Sequence, residues 1–294
     1  MPAVEYQITD STWRPRTLAK FAEAYLAEAP IENLSEPAVT RVGARVEGRL
    51  FTEGSVRGVD FVYAGRKLRT AVIRVRLGTL ASRTDWGLAF GLLRALVEQG
   101  RGTLVDPEGD PVRIEQLTEG EAAGFAMPHL TQGAAELKAN VLDRGRPFAA
   151  LPAPDYDLLV TADDFDASLA DDALRLGIAL EEQLAPRALR YERAMTLPVM
   201  AAPDGSAFAF WPWCDALIDA VPFVAVARNE EDEPRVIPGR QLFQALGDGF
   251  ESVSADERRV FLYGDPSTGD FQTAFENAIP FPAWIASKQP VAFG

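Results

Sequence analysis

The chain has 294 residues, with 43 Asp and Glu against 29 Lys and Arg for a net charge of −14, and 47% of it is hydrophobic. That composition excludes wholesale disorder, and the length suits one large or two modest domains with a buried core. A single histidine, His129, and a single cysteine, Cys214, exclude an intrachain disulfide and any zinc site built from several His or Cys ligands.

In chain order, residues 1–20 lack the apolar run of a secretory signal, so a cytoplasmic address is expected. Leu18, Phe21, Ala22, Tyr25 and Leu26 recur at helical spacing before Pro30. Val42, Ala44, Val46 and Leu50 oppose Arg41, Arg45, Glu47 and Arg49, and Ala71, Ile73, Val75 and Leu77 oppose Val72, Arg74 and Arg76. Both stretches read as half-buried strands with basic faces, expected to pair with each other. The arginine strip is expected either to be solvated or to dock an acidic surface. A broad apolar stripe on Trp86, Ala89, Phe90, Leu93 and Val97, opened by Thr84-Asp85 and closed by Gly100, predicts a helix packed on that sheet. Arg94 interrupts this stretch, which is far too short to cross a bilayer. Residues 103–114 read as a small hairpin around Asp106-Pro107-Glu108-Gly109-Asp110. Residues 119–144 read as helix interrupted near Pro128, which leaves His129 in a connecting loop.

Three prolines in the segment 146–154 set an expected boundary between a half at 1–146 and a half at 155–294. The charge changes there as well: residues 1–150 carry 19 of each sign, whereas residues 151–294 carry 24 acids against 10 bases. Beyond the boundary a strand is expected at 157–161, then a helix with Leu169, Ala173, Leu176, Leu180 and Leu184 on one face. Further strands are expected near 194–200, 207–211, 221–227, 235–237 and 259–263, with helices around Leu242 and Phe271. Helices and strands are mixed and nothing repeats at a fixed period. The expected class is α+β, with mixed, largely antiparallel sheets and packed helices in two interacting halves.

The most chemical-looking segment is the apolar strand Leu158-Leu159-Val160 emptying into Asp163, Asp164 and Asp166. Asp-x-Asp at the end of a strand suits Mg²⁺ binding and an aspartyl nucleophile. Asp164-Phe165-Asp166-Ala167-Ser168-Leu169 resembles the first motif of haloacid-dehalogenase-type phosphatases, over a dozen of the 294 residues. That resemblance implies a Mg-dependent phosphoester hydrolase with Asp164 as nucleophile and Asp166 as acid/base. No later lysine at the head of a parallel strand–helix unit accompanies it. The competing reading places these acids in a loop before a helix whose dipole favours Asp171 and Asp172 by about 0.3–1 kcal/mol each. Gly264 to Gly269 has a phosphate-loop rhythm, but Asp270 stands where the lysine belongs, so it reads as a turn. Cys214 reads as packing, because apolar surroundings and the adjacent Asp215 both raise a thiol pKa.

A one-signed surface attracts oppositely charged molecules and repels nucleic-acid phosphates. The expected function is therefore non-catalytic: binding of a basic protein partner, as an immunity or inhibitor protein or an assembly subunit. The expected contacts are Asp163, Asp164, Asp166, Glu230, Glu231, Asp232 and Glu233, with Trp211 and Trp213 as aromatic anchors. No cofactor, metal, direct nucleic-acid contact or membrane contact is expected, and a homo-oligomer is compatible with the sequence. The hydrolase built on Asp164 and Asp166 is the enzymatic alternative.

Overall fold

The computed structural model describes residues 4–9, 11–14, 16–21, 40–42, 45–65, 71–153, 156–169, 171–228, 232–254, 256, 258–264 and 269–288. The fold is α+β, with mostly antiparallel sheets. The chain divides into two compact units, Met1–Ala149 with Val160–Glu192, and Ala150–Leu159 with Arg193–Gly294. The first crossing falls inside the proline-rich segment, but the chain then returns. The helix after Asp172 and the acids Asp163, Asp164 and Asp166 thus belong with the first unit, apart from the acids at 230–233. The first unit carries 22 basic and 27 acidic residues and the second 7 and 16, so most of the surplus charge lies in the second.

In the first unit, β1 (Val4–Thr9), β2 (Thr40–Val42), β3 (Arg45–Leu50), β4 (Val59–Gly65), β5 (Ala71–Leu77) and β6 (Thr103–Val105) form one sheet in the order β2-β3-β4-β5-β1-β6. Every neighbour pair is antiparallel. The two arginine-faced strands do not pair directly: β4 lies between them, with Val46 opposite Tyr63 and Tyr63 opposite Ile73. Alternation turns Val46, Phe61, Tyr63, Ile73 and Val75 into the core. Each large apolar side chain so buried contributes about 1.5–3 kcal/mol relative to exposure. On the other face the arginines meet acids of their own unit. Arg74 and Arg76 lie 3.5 and 2.5 Å from Glu5, Arg49 lies 3.4 Å from both Asp60 and Glu192, and Arg45 pairs with Glu47. All of these acids lie in the arginines' own unit, and one of them, Glu192, comes from the acidic half at 155–294; the side chain of Arg41 lies outside the described residues.

Helix α1 (Arg83–Gly100) starts one residue before Thr84 because Ser82 and Asp85 form a reciprocal cap. Asp85 is fully buried and also accepts from the backbone N–H groups of Arg57 and Gly58, both at 2.9 Å, which ties the β3–β4 loop to the helix start. Helix α2 (Glu119–Lys138) runs without a break through Pro128. The carbonyl that loses its partner to that proline belongs to Gly124 on an exposed face, while Ala122, Ala126, Leu130 and Ala134 keep the opposite face buried. His129 is therefore a helix residue. β7 (Phe148–Pro152) and β8 (Asp157–Thr161) carry the crossings, and α3 (Ala173–Arg193) follows. Helices α2 and α3 meet at Gly177, where a Cβ would sit 2.8 Å from the Leu130 carbonyl oxygen.

In the second unit, β10 (Met200–Ala201), β11 (Ala207–Trp211), β13 (Phe223–Val226), β14 (Arg235–Pro238) and β17 (Ile279–Pro280) form one sheet in that order. β15 (Phe250–Ser252), β16 (Arg259–Leu262), β12 (Ala216–Asp219) and β9 (Met195–Thr196) form another. The parallel pairs are β11 with β13 and β12 with β9. One core joins the inner faces of both sheets to α4 (Gly239–Leu246) and α5 (Gly269–Glu276), through Trp211, Ile218, Val224, Leu246 and Phe271. The opposite face of the first of these sheets, with Phe208, Ala225 and Val236, is covered by Trp284 of α6 (Phe281–Ser287).

Candidate partner-binding surface

Asp164 lies in the helical turn just after β8, with its side chain turned inward and 5% exposed. One carboxylate oxygen accepts from the Thr161 backbone N–H at 2.7 Å. The other accepts from Arg187 Nη1 at 3.1 Å and from Gln183 Nε2 at 3.3 Å. Thr161-x-x-Asp164 is a reciprocal cap and Arg187 ties it to α3, so the carboxylate is committed to holding the strand end on the helix. A nucleophile needs a lone pair facing substrate, and neither oxygen is left for one; a surface contact needs exposure, and Asp164 lacks it. Asp163 and Asp166 are exposed. Asp166 accepts from the Ser168 hydroxyl at 2.7 Å and its backbone N–H at 2.8 Å, which lowers its pKa. Among the described residues no group of three or more His, Cys, Asp or Glu is placed to hold a metal ion.

In the second unit the expected contacts separate by burial. Trp211 is fully buried and gives its indole N–H to the Cys214 carbonyl at 2.8 Å, so it is a core residue and not a surface anchor. Trp213 is half-buried, stacks on Trp211 at 5.4 Å and meets Phe271 at 4.8 Å. It adopts φ +59°, a left-handed conformation that costs a bulky side chain of order 1–3 kcal/mol. Burial first, and then Asp215, raise the Cys214 thiol pKa, consistent with packing. β13 and β14 form the two arms of an antiparallel hairpin, with Val226 opposite Arg235. At its connection Asp232 pairs with Arg228 at 3.3 Å and Glu233 is exposed, while Glu230 and Glu231 lie outside the described residues. The phosphate-loop-like segment falls largely outside them as well, at 265–268.

A different surface stands out on the first unit. Phe125 on α2 is 47% exposed, the most open large aromatic described. Its ring stacks over Trp86 of α1 at 6.1 Å, and His129, one turn on, stacks over the same indole at 4.8 Å. Phe90 and Tyr6 meet Trp86 edge-on at 5.8 and 6.5 Å. Trp86 is 1% exposed and its indole N–H has no acceptor among the described residues, a buried cost of about 1–3 kcal/mol that the ring's contacts must offset. The result is an exposed phenyl face on a rigid aromatic base.

An acidic turn acts on this cluster through its charge. The turn from Asp106 to Asp110 closes through the Asp106 carboxylate, which accepts from the Asp110 N–H at 2.8 Å and the Glu108 N–H at 3.1 Å. Glu108 and Asp110 are left exposed, with no ion pair among the described residues. Burial, then Asp106 and Glu108, push the Tyr6 hydroxyl up to about 12. Burial lowers the His129 pKa while Glu108 acts in the opposite direction. Glu108 thus acts electrostatically on two members of the aromatic cluster, Tyr6 and His129. Sequence reading missed this site because it ended a helix at Pro128. A continuous helix puts Phe125 and His129 at i and i+4 on one face.

No family model, curated protein or solved structure matches this chain. No helix among the described residues is long and apolar enough to cross a membrane.

Proposed function

We propose that this protein works by binding a basic protein partner, and that the contact centres on Phe125 with Glu108 and Asp110 beside it. The observation that carries the reading is the exposed Phe125 ring held on buried Trp86, in an aromatic cluster whose Tyr6 and His129 feel the charge of Glu108. An arginine fits this surface best: its planar guanidinium stacks on an aromatic face while its N–H groups reach carboxylates. Stacking of that kind is worth about 0.5–2 kcal/mol, and the surrounding negative field raises the association rate at low salt. The net charge of −14 acts in the same direction at longer range. Asp163, Asp166 and Glu233 add to the field as exposed acids, whereas Asp164 and Trp211 are occupied inside their units.

The test is capture of partners on the immobilised full chain at low salt. Retention of a basic protein that elutes as salt rises, and its loss with the double substitution Glu108→Gln and Asp110→Asn, is the expected result. Equal retention by that variant, or no salt-sensitive basic protein at all, refutes the reading.

A further inference from the structure

His129 is the single histidine of the chain, and it lies half-buried in the aromatic cluster of the first unit. Its ring stacks on the Trp86 indole at 4.8 Å with 28° between the planes, and Phe125 stacks on the same indole at 6.1 Å with 23°. Both residues belong to α2, one turn apart, a spacing that sets neighbouring side chains about 5–6 Å from each other. The imidazole and the exposed phenyl ring therefore share one platform. A charge on the first is felt by whatever sits on the second.

The surroundings leave His129 as the titrating member of that platform. Trp86 and Phe90 of α1 carry no charge, and Tyr6 of β1 stays protonated up to about 12. The ionisable groups of α1 are engaged elsewhere: Arg83 with Glu181, Asp85 with backbone N–H groups, Arg94 with Glu98. On α2 itself Glu121 and Glu136 lie about two turns away on either side, and α3 approaches α2 with uncharged Gly177. From the acidic turn Glu108 acts on His129 and favours its proton, while burial, the larger influence, lowers its pKa from 6.5. The imidazole is thus uncharged at neutral pH and takes up its proton as the pH falls below 6.5. No other side chain of ordinary pKa changes charge in that window.

We propose that His129 is a pH-sensitive gate on the partner-binding surface, admitting the partner's guanidinium to Phe125 when neutral and disfavouring it when protonated. This inference rests on the basic-partner reading above and adds its regulation. A protonated His129 holds a cation against the indole that supports Phe125, where cation–π attraction keeps it in place. Two cations at such a distance on a half-buried surface repel by more than thermal energy, and the imidazolium also draws on the Glu108 charge. The coupling is reciprocal: a bound guanidinium makes His129 harder to protonate by the same factor by which the proton weakens the guanidinium.

The experiment titrates the full chain with an end-blocked triarginine peptide at about pH 7.5 and about pH 5, and follows the single imidazole by NMR across that range with and without the peptide. Affinity weaker by about three- to fivefold at the lower pH is expected, together with an imidazole midpoint that the bound peptide moves down by about 0.7 of a pH unit. In His129→Gln the ratio between the two pH values should shrink to the roughly twofold or less that partial carboxylate protonation supplies. Equal wild-type affinities at the two pH values, an imidazole midpoint that ignores the peptide, or an unchanged ratio in His129→Gln would each overturn the inference while leaving the partner reading in place. A peptide that fails to bind at about pH 7.5, or that binds Phe125→Ala as well as wild type, would instead refute that reading and this one with it.

Discussion

Replacing Asp164 with Ala removes a buried carboxylate while leaving Arg187 beside an apolar methyl. The carboxylate is 5% exposed and accepts from Thr161, Gln183 and Arg187. Breaking a buried ion pair costs about 3–5 kcal/mol, but the Arg187 side chain is 27% exposed, so part of its charge is rehydrated in the variant and the lower end applies. Loss of the cap is contained in that figure, since the same oxygens serve both tasks. A loss of ~3 kcal/mol in a unit of roughly 180 residues lowers the midpoint of its thermal transition by about 6–12 °C. Differential scanning calorimetry of wild type, Asp164→Ala and Asp166→Ala measures this directly. The exposed Asp166 should shift the midpoint by only a degree or two, as ordinary surface substitutions do. An Asp164→Ala midpoint within about 2 °C of wild type would refute the structural role. It would return the carboxylate to the list of candidate nucleophiles.

Further expectations follow from other residues. Tyr6 is held protonated to about 12, above the ordinary value of 10.0, so the folded state resists an ionisation that the unfolded chain undergoes. Stability should fall as pH rises from 10 towards 12, and Tyr6→Phe should flatten that loss in denaturant titrations; an unchanged slope would contradict it. Burial lowers the His129 pKa from 6.5, so the folded state binds that proton less readily and stability should fall as pH drops through 6.5. His129→Phe should remove this component, and an identical pH profile would count against the stacked geometry. Gly177→Ala gains about 1 kcal/mol of helix propensity but forces a Cβ to 2.8 Å from the Leu130 carbonyl oxygen, a clash worth about 1–3 kcal/mol. Net destabilisation in urea is expected; a more stable variant would show that α2 and α3 do not meet there.

Helical periodicity exposed α1 and α3 because their apolar stripes are long and carry start and stop residues. Alternation likewise exposed β3 and β5, but β4 was hidden: its buried Val59, Phe61 and Tyr63 follow a loop containing Gly54 and Gly58, so the two flanking strands were expected to pair directly. β12 is four residues long and almost wholly buried, so it carries no alternation to detect. The return of the chain to the first unit leaves no local mark, because it depends on packing between residues far apart in sequence, such as Gly177 and Leu130. Among the site residues, acids were read as surface by their charge alone. The Thr161-x-x-Asp164 spacing, a capping signature, was the available sign that one of them turns inward. Phe125 was overlooked because a proline suggested a break that burial of the opposite face of α2 overrides.

The basic-partner account is tested most directly by calorimetric titration of the captured partner against wild type and Phe125→Ala at low and moderate salt. Removing a cation–π contact of about 0.5–2 kcal/mol should weaken Kd by about 2- to 30-fold at both salt concentrations, while raising salt should weaken the two proteins in parallel. Identical affinities for wild type and Phe125→Ala would contradict the account, because the aromatic face on which it rests would then contribute nothing to recognition.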